Sequence, residues 1–317
     1  MNKETKKSKK TLLVSMPFAP IFPPSPQLSA LDAYLTREGL SADCRHLYLK
    51  CADYMGIKPY ALISSSISLL REVVYTRVLF PEHYAKHQNN LNDYLQEAHS
   101  AIIKDLSNPR AVENINLGID RFNEFILGDI DWAQYDLIGF SVNFSQLLPS
   151  LFVSKAVKSR HPDMEIVFGG CSVSGEVGRG ILNAFPYVDF VISGEGEKAL
   201  ADLVKASSLM QIGDIDGIAY RRSDEIVMNA KKEAIDIDTL PFFRLDSYFD
   251  DLATCSTILQ SHCEINFSIP FESSRGCWWN KCNFCNYTTR QGKYRSKSPA
   301  RIREEFEFQS DKYQSLS

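Results

Sequence analysis

With 317 residues, 44% hydrophobic and 23% charged, the chain is globular in makeup and long enough for one large or two ordinary domains. A net charge of −4 argues against nucleic acid or an anionic membrane as partner, and no apolar stretch is long enough to span a bilayer. Eight cysteines, five of them isolated (Cys44, Cys51, Cys171, Cys255, Cys263), exclude the pattern of a secreted disulfide scaffold.

Residues 1–10, MNKETKKSKK, carry five lysines and read as a disordered basic tail. No secretory signal follows, because the apolar run TLLVSM meets Pro17 and Pro20, so the cytoplasm is the expected compartment. Thr11–Met16 reads as a first strand, short and apolar as a parallel strand buried on both faces must be. After the loop PFAPIFPPSP, Leu28, Leu31, Tyr34 and Leu35 recur at helical spacing until Gly39, and Ala42–Leu49 reads as a second strand. Residues 51–131, with patterns such as ILREVVYTRVLF, read as a helical insertion, because strand–helix alternation resumes cleanly after them.

That alternation runs through a strand over 136–142, a helix over 146–160 with Leu148, Leu151, Phe152 and Ala156 on one face, and the strand MEIVFGG. A helix around 176–183, the strand VDFVIS and a helix opening at Glu195 complete it. The order predicts a doubly wound, flavodoxin-like α/β domain with a mostly parallel sheet over 11–216. Right-handed crossovers then gather the loops at Pro17, Ser141, Gly169 and Ser193 along one edge. Residues 217–262 read as a hairpin, with its turn at Arg222-Ser223-Asp224, and a linker. In 263–317 a strand over 265–272 leads into a cysteine loop, and Ser298-Pro299 open a helix whose face carries Ile302, Phe306 and Tyr313.

Two sets of residues carry chemistry. Cys277, Cys282 and Cys285 lie within GCWWNKCNFCNY. Three thiolates can hold three irons of a cubane cluster and leave the fourth open to a small molecule. Zinc is the alternative, with His262, Cys263 or Cys255 as a fourth ligand, and three inert thiols the plainest one; ligand count and spacing favour the cluster. The second set lies at the strand ends. Gly169 and Gly170 allow close approach of a bulky ligand, Ser141 and Asn143 supply hydrogen bonds, and Gly194-Glu195-Gly196-Glu197 offers backbone N–H groups at a helix start. A Gly-Gly pair alone is a tight turn, but four loops at one edge point to a ligand crevice. His46, His83, His87, His99 and His161 sit singly and read as surface or capping residues.

The string PFESSRGCWWNKCNFCNY followed by YRSKSP resembles the cobalamin-dependent radical SAM proteins that mature ribosomally made peptides (RiPPs). TLLVSMPFAPIFPPSP, GFSVNFSQ, VFGGCSVSGEVGRG and VDFVISGEGEKAL resemble their cobalamin-binding half. The resemblance implies Cys277, Cys282 and Cys285 as ligands of a [4Fe-4S] cluster and Phe284 near the adenine of S-adenosyl-L-methionine. It implies cobalamin against Pro17, Ser141, Asn143, Gly169, Gly170, Gly194, Glu195, Gly196 and Glu197, with no histidine offered to cobalt by the first loop. The expected activity is methylation of carbon through a 5′-deoxyadenosyl radical, on a precursor peptide, with an external electron donor. A corrinoid-binding module without catalysis is the other reading, and a zinc-stabilised interaction protein a further one. The sequence supplies one strand–helix unit of a radical SAM barrel, residues 263–317, where about six are expected, so truncation early in the barrel is the expectation. The last 50 or so residues should be poorly ordered or docked on the first domain.

Overall fold

In the computed structural model, residues 8–65, 70–86, 109–230, 234–279, 281–282 and 293–313 are described. Seven strands form one sheet: β1 (Thr11–Ser15), β2 (Ala42–His46), β3 (Leu137–Ser141), β4 (Glu165–Gly169), β5 (Phe190–Ile192), β6 (Ile218–Arg222) and β7 (Glu225–Met228). Their spatial order is β2-β1-β3-β4-β5-β6-β7, parallel through β5 and antiparallel from there on. The parallel part has the doubly wound order expected of alternating strands and helices.

The helices between the strands are α1 (Pro26–Arg37), α2 (Leu47–Met55), α3 (Ile57–Ser65), α4 (Leu70–Leu79), α5 (Pro81–Lys86), α6 (Pro109–Gly128), α7 (Leu147–Arg160), α8 (Glu176–Ala184), α9 (Glu197–Lys205) and α10 (Leu209–Gly213). Strand residues alternate between the two faces, as a period of two requires. Leu12, Val14, Ile138, Phe140, Ile166 and Phe168 enter one core, which takes in the helices of the insertion. Leu13, Leu137, Val167 and Ile192 enter the other, under α1 and α9. Local signals begin α1: Ser25 accepts from the Leu28 amide and Pro26 takes the first turn.

Several expectations shift. The second strand stops at His46, because Leu47, Tyr48 and Leu49 are buried as the opening turn of α2. Lys9 and Lys10 are not part of a free tail. Lys9 pairs with Glu165 at 2.6 Å, and the Lys10 amide donates to Asp136 at 2.8 Å. The hairpin of 217–230 belongs to the main sheet, because β6 extends the open edge of β5, so a boundary at 216 would cut the sheet. The stretch expected as linker folds in part as α11 (Asp246–Ala253), whose Tyr248 is fully buried and donates to the Ile21 carbonyl at 2.7 Å. The strand expected over 265–272 is absent. Helix α12 (Thr257–Asn266) runs into it, with Leu259 and Cys263 buried one turn apart. Among the described residues here, β8 (Ser274–Arg275) pairs with β9 (Arg295–Ser296), and Cys277 makes an isolated bridge to Lys293.

Helix α13 (Pro299–Tyr313) begins where Ser298 and Pro299 indicate, with the Ser298 hydroxyl accepting from the Arg301 amide. It docks on the segment before α11. Tyr313 accepts from the Leu245 amide at 2.9 Å, Gln309 donates to the Phe243 carbonyl at 2.9 Å, and Phe308 stacks on Phe242. Lys297 and Glu305 form a buried ion pair beneath it. Residues 293–313 dock mainly on the stretch expected as linker, and Arg295 reaches Glu195 of the first domain. No described helix is long and apolar enough to cross a membrane.

Candidate functional site

A cleft of about 600 Å³ opens where β3, β4 and β5 end, on the face covered by α1 and α9. This is where ligands enter open parallel sheets, at the carboxyl ends of the strands. Its floor is a layer of Leu13, Gly139 and Val167. Gly139 lies between the other two, and a Cβ there would stand 2.8 Å from the Leu13 side chain, so Leu13 packs over the bare backbone.

The lip follows from the strand ends. Asn143 donates to the Ser141 hydroxyl at 3.1 Å and accepts from the Cys171 amide at 3.2 Å, which stitches the end of β3 to the loop after β4. Gly170 lies at φ +109, and a Cβ on it would meet the Val142 carbonyl oxygen at 2.4 Å. Only glycine fits there. Phe144, also at positive φ (43°) and 75% exposed, stands at the same lip. Its turn is fixed by Gln146, which accepts from the Asn143 amide and donates to the Ser15 hydroxyl and the Met16 carbonyl.

The opposite wall comes from far along the chain. Phe271 to Arg275 line the cleft directly before the cysteine loop. Arg275 reaches Glu197 at 2.6 Å and Glu272 at 2.9 Å, and Arg295 pairs with Glu195. Burial disfavours the Arg275 cation, but Glu197 above all, then Glu272, outweigh it and hold its pKa above the ordinary arginine value. Gly276, at φ +85, turns the chain from β8 toward Cys277, and a Cβ there would meet the Lys293 carbonyl at 2.6 Å.

Eight of the expected crevice residues therefore line one cleft: Ser141, Asn143, Gly169, Gly170, Gly194, Glu195, Gly196 and Glu197. Pro17 does not line it; it is buried at the end of β1. The carboxylates of Glu195 and Glu197 are engaged by arginines of the β8–β9 hairpin, a use that a reading based on backbone N–H groups did not foresee. Cys277 is half-buried and Cys282 exposed, both as free thiols, whereas Phe284 and Cys285 lie outside the described residues, as do His87 and His99. Among the described residues no group of three or more His, Cys, Asp or Glu side chains is placed to hold a metal ion. His161 follows the last turn of α7 and His83 is exposed, in line with expectation, but His46 is buried between Tyr48 and Tyr248, with Asp251 3.7 Å from its Nδ1.

Sequence reasoning missed Gly139, Phe144 and Arg275. The signal for Arg275 was present: a lone arginine ahead of Gly-Cys, and a Gly-Glu-Gly-Glu turn holding two carboxylates that would need partners if buried.

No family model matches the chain. It is 30% identical over 157 residues to the cobalamin-dependent radical SAM methyltransferase TokK of Streptomyces tokunonensis, covering 48% of this chain and 22% of that protein. It is 28% identical over 150 residues to an anaerobic magnesium-protoporphyrin IX monomethyl ester cyclase of Synechocystis, covering 47% and 28%. Among solved structures, the cobalamin-dependent S-adenosylmethionine radical enzyme OxsB, with aqua-cobalamin and S-adenosylmethionine bound, superposes with TM-score 0.59 at 17% identity, over 98% of this chain and 33% of that one. TsrM of Kitasatospora setae, a radical S-adenosylmethionine methyltransferase with cobalamin and a [4Fe-4S] cluster bound, gives 0.54 at 13% identity, over 96% and 46%. The fold is that of these enzymes. The chain spans less than half the length of each.

Proposed function

We propose that this chain binds cobalamin in the sheet-edge cleft and a [4Fe-4S] cluster with S-adenosyl-L-methionine at the cysteine loop, as part of a cobalamin-dependent radical SAM methyltransferase. The observation that carries the reading is that the approach to the cysteines forms a wall of the cleft: Phe271 to Arg275 face the glycine-rich strand ends. Two cofactor sites built against one another are what joint chemistry requires.

The residues fit the groups. The cleft of about 600 Å³ leaves room for a large ligand, and Glu197, which lines it, has a buried carboxylate oxygen without a hydrogen-bond partner among the described residues. Cys277 is half-buried and Cys282 exposed, both accessible to an incoming cluster, and Cys285 would supply the third thiolate. When bound, the cluster and the corrinoid supply the electron and methyl chemistry that no side chain provides. The protein's part is placement. Ser141 and Asn143 hold the lip, Gly169, Gly170 and Gly194 to Glu197 border the corrinoid, and Pro17 backs the first loop. Phe284 lies against the adenine in this reading.

The substrate belongs to the same proposal: a ribosomally made precursor peptide, methylated at carbon in the cytoplasm with an external electron donor. The support is the likeness of GCWWNKCNFCNY and YRSKSP to enzymes that mature such peptides. The test is anaerobic reconstitution with iron and sulfide, titration with hydroxocobalamin, and assay for 5′-deoxyadenosine. The expected material holds four irons per chain by the cluster's stoichiometry, binds one corrinoid and cleaves S-adenosyl-L-methionine. Corrinoid uptake without that cleavage leaves a binding module only, and one zinc with no inorganic sulfide overturns the reading.

A further inference from the structure

The ion pairs between the α/β unit and the β8–β9 hairpin do more than close a surface. The hairpin ladder consists of Ser274 opposite Ser296 and Arg275 opposite Arg295. Two residue pairs make no independently stable sheet, and two cations side by side across a ladder repel. Something outside the hairpin must hold it. Glu195, in the turn between β5 and α9, does so by lying between the two cations: Arg295 donates to its Oε1, and Arg275 Nη1 is 3.5 Å from that same atom. Arg275 then donates through Nη2 to Glu197 Oε1 at 2.6 Å and through Nε to Glu272 Oε1 at 2.9 Å. Its side chain is only 8% exposed. Two residues later comes Cys277.

Glu197 is only half satisfied. Its Oε1 is taken by Arg275, but its Oε2 is buried and has no hydrogen-bond partner among the described residues, and Glu197 lines the cleft. A buried carboxylate oxygen left without a donor is unfavourable, and the cleft is where a donor can arrive. A corrin ring is bordered by carboxamide arms, whose N–H groups are donors of the kind that is missing.

We propose that Arg275 is the positioning residue that seats the cysteine loop on the α/β unit through Glu195 and Glu197, and that Glu197 divides its two oxygens between Arg275 and a carboxamide of the corrinoid. Filling the cleft fixes Glu197, Glu197 fixes Arg275, and Arg275 fixes the approach to Cys277. The two cofactor sites are then thermodynamically coupled: corrinoid must strengthen cluster retention by the factor by which the cluster strengthens corrinoid binding. This inference rests on the reading of the cleft and cysteine loop given under Proposed function.

The experiment follows iron loss to bathophenanthroline from anaerobically reconstituted full-length chain, with and without saturating hydroxocobalamin. The wild-type chain is expected to lose iron about fivefold more slowly with corrinoid bound, the lower end of ordinary site–site coupling. Arg275→Lys keeps the charge but loses the planar fork that spans two carboxylates. It should still load iron and sulfide, while the protection, read at corrinoid concentrations that saturate the variant, falls to nothing. Glu195→Gln, read the same way, covers the case in which Arg275→Lys does not fold, as judged by circular dichroism. Glu197→Gln should lose the protection and also weaken corrinoid binding, because an amide N–H would then face the carboxamide. Full protection retained in folded Arg275→Lys or Glu195→Gln, or no protection in the wild type, overturns the inference while the functional reading stands. Failure of the wild type to bind corrinoid or cluster overturns both.

Discussion

A glycine in the middle of β3 lies in the floor of the cleft. Gly139 is an unfavourable residue for a strand interior on backbone grounds, and its neighbours Leu13 and Val167 are ordinary core residues. Its worth lies in letting Leu13 pack over the strand. Gly139→Val would push a branched side chain against the movable end of Leu13, so the sheet should survive while the displaced side chain crowds the floor of the cleft. Hydroxocobalamin affinity is expected to fall at least about tenfold, ~1.4 kcal/mol, with the far-UV circular dichroism unchanged; unaltered affinity in a folded variant would place the ligand elsewhere. The sequence announced Gly169 and Gly170, because two glycines closing an apolar run mark a strand end. It did not announce Gly139, since a glycine inside LIGFS looks like a weakness until both neighbouring strands are in view. Nor did it announce Phe144, whose left-handed backbone depends on Gln146 reaching the Ser15 hydroxyl and Met16 carbonyl.

Among the elements, those with a local cause were legible and those defined by a neighbour were not. Helices α1 and α13 carry their own start signals in Ser25-Pro26 and Ser298-Pro299, and the parallel strands carry apolar runs suited to burial on both faces. The segment INFSIPFE alternates as a strand should, but a strand needs an edge to pair with, and the two-residue β9 pairs with Ser274 and Arg275 beyond it. Helix α12 claims Ile265 and Asn266 instead, from a start set by Ser256. The Ser256 hydroxyl accepts from the Leu259 amide, and both its hydroxyl and its amide donate to Asp53 on α2. That serine is at once a helix cap and a tie to the insertion. Ser256→Ala should lower the unfolding free energy by about 1 kcal/mol, measured by urea denaturation, and should increase hydrogen exchange in the first turn of α12. An unchanged midpoint would show that water replaces the cap.

For the molecule as a whole, the core holds several thiols and phenols that burial keeps protonated. Burial pushes the Cys255 thiol from the ordinary 9.0 up to about 12, with Asp53 and Asp251 adding to it against Lys50, and it raises Cys44 and Cys51 as well. Tyr48, Tyr60 and Tyr75 are raised by burial, and Tyr187 to about 12 by the same cause. In the unfolded chain these groups ionise from about pH 9 for thiols and 10 for phenols, while in the folded protein they do not. The unfolded state therefore releases protons first, so stability is fully present below about pH 9 and declines as pH rises toward 12. Denaturation midpoints are expected to fall steadily across that interval, and a flat profile between pH 9 and 11 would contradict the burial described. The same burial should spare Cys44, Cys51 and Cys255 from iodoacetamide at pH 8, in contrast with the exposed Cys282.

The cleft borrows its walls from segments far apart in the sequence: the start of α1 on one side and Phe271 to Arg275 on the other. The chamber is thus a tertiary feature, closed by a segment that is no part of the seven-stranded sheet. Local opening of such a segment costs less than melting the sheet, so the wall from Phe271 to Arg275 is expected to exchange its amide hydrogens before β1, β3 and β4 do.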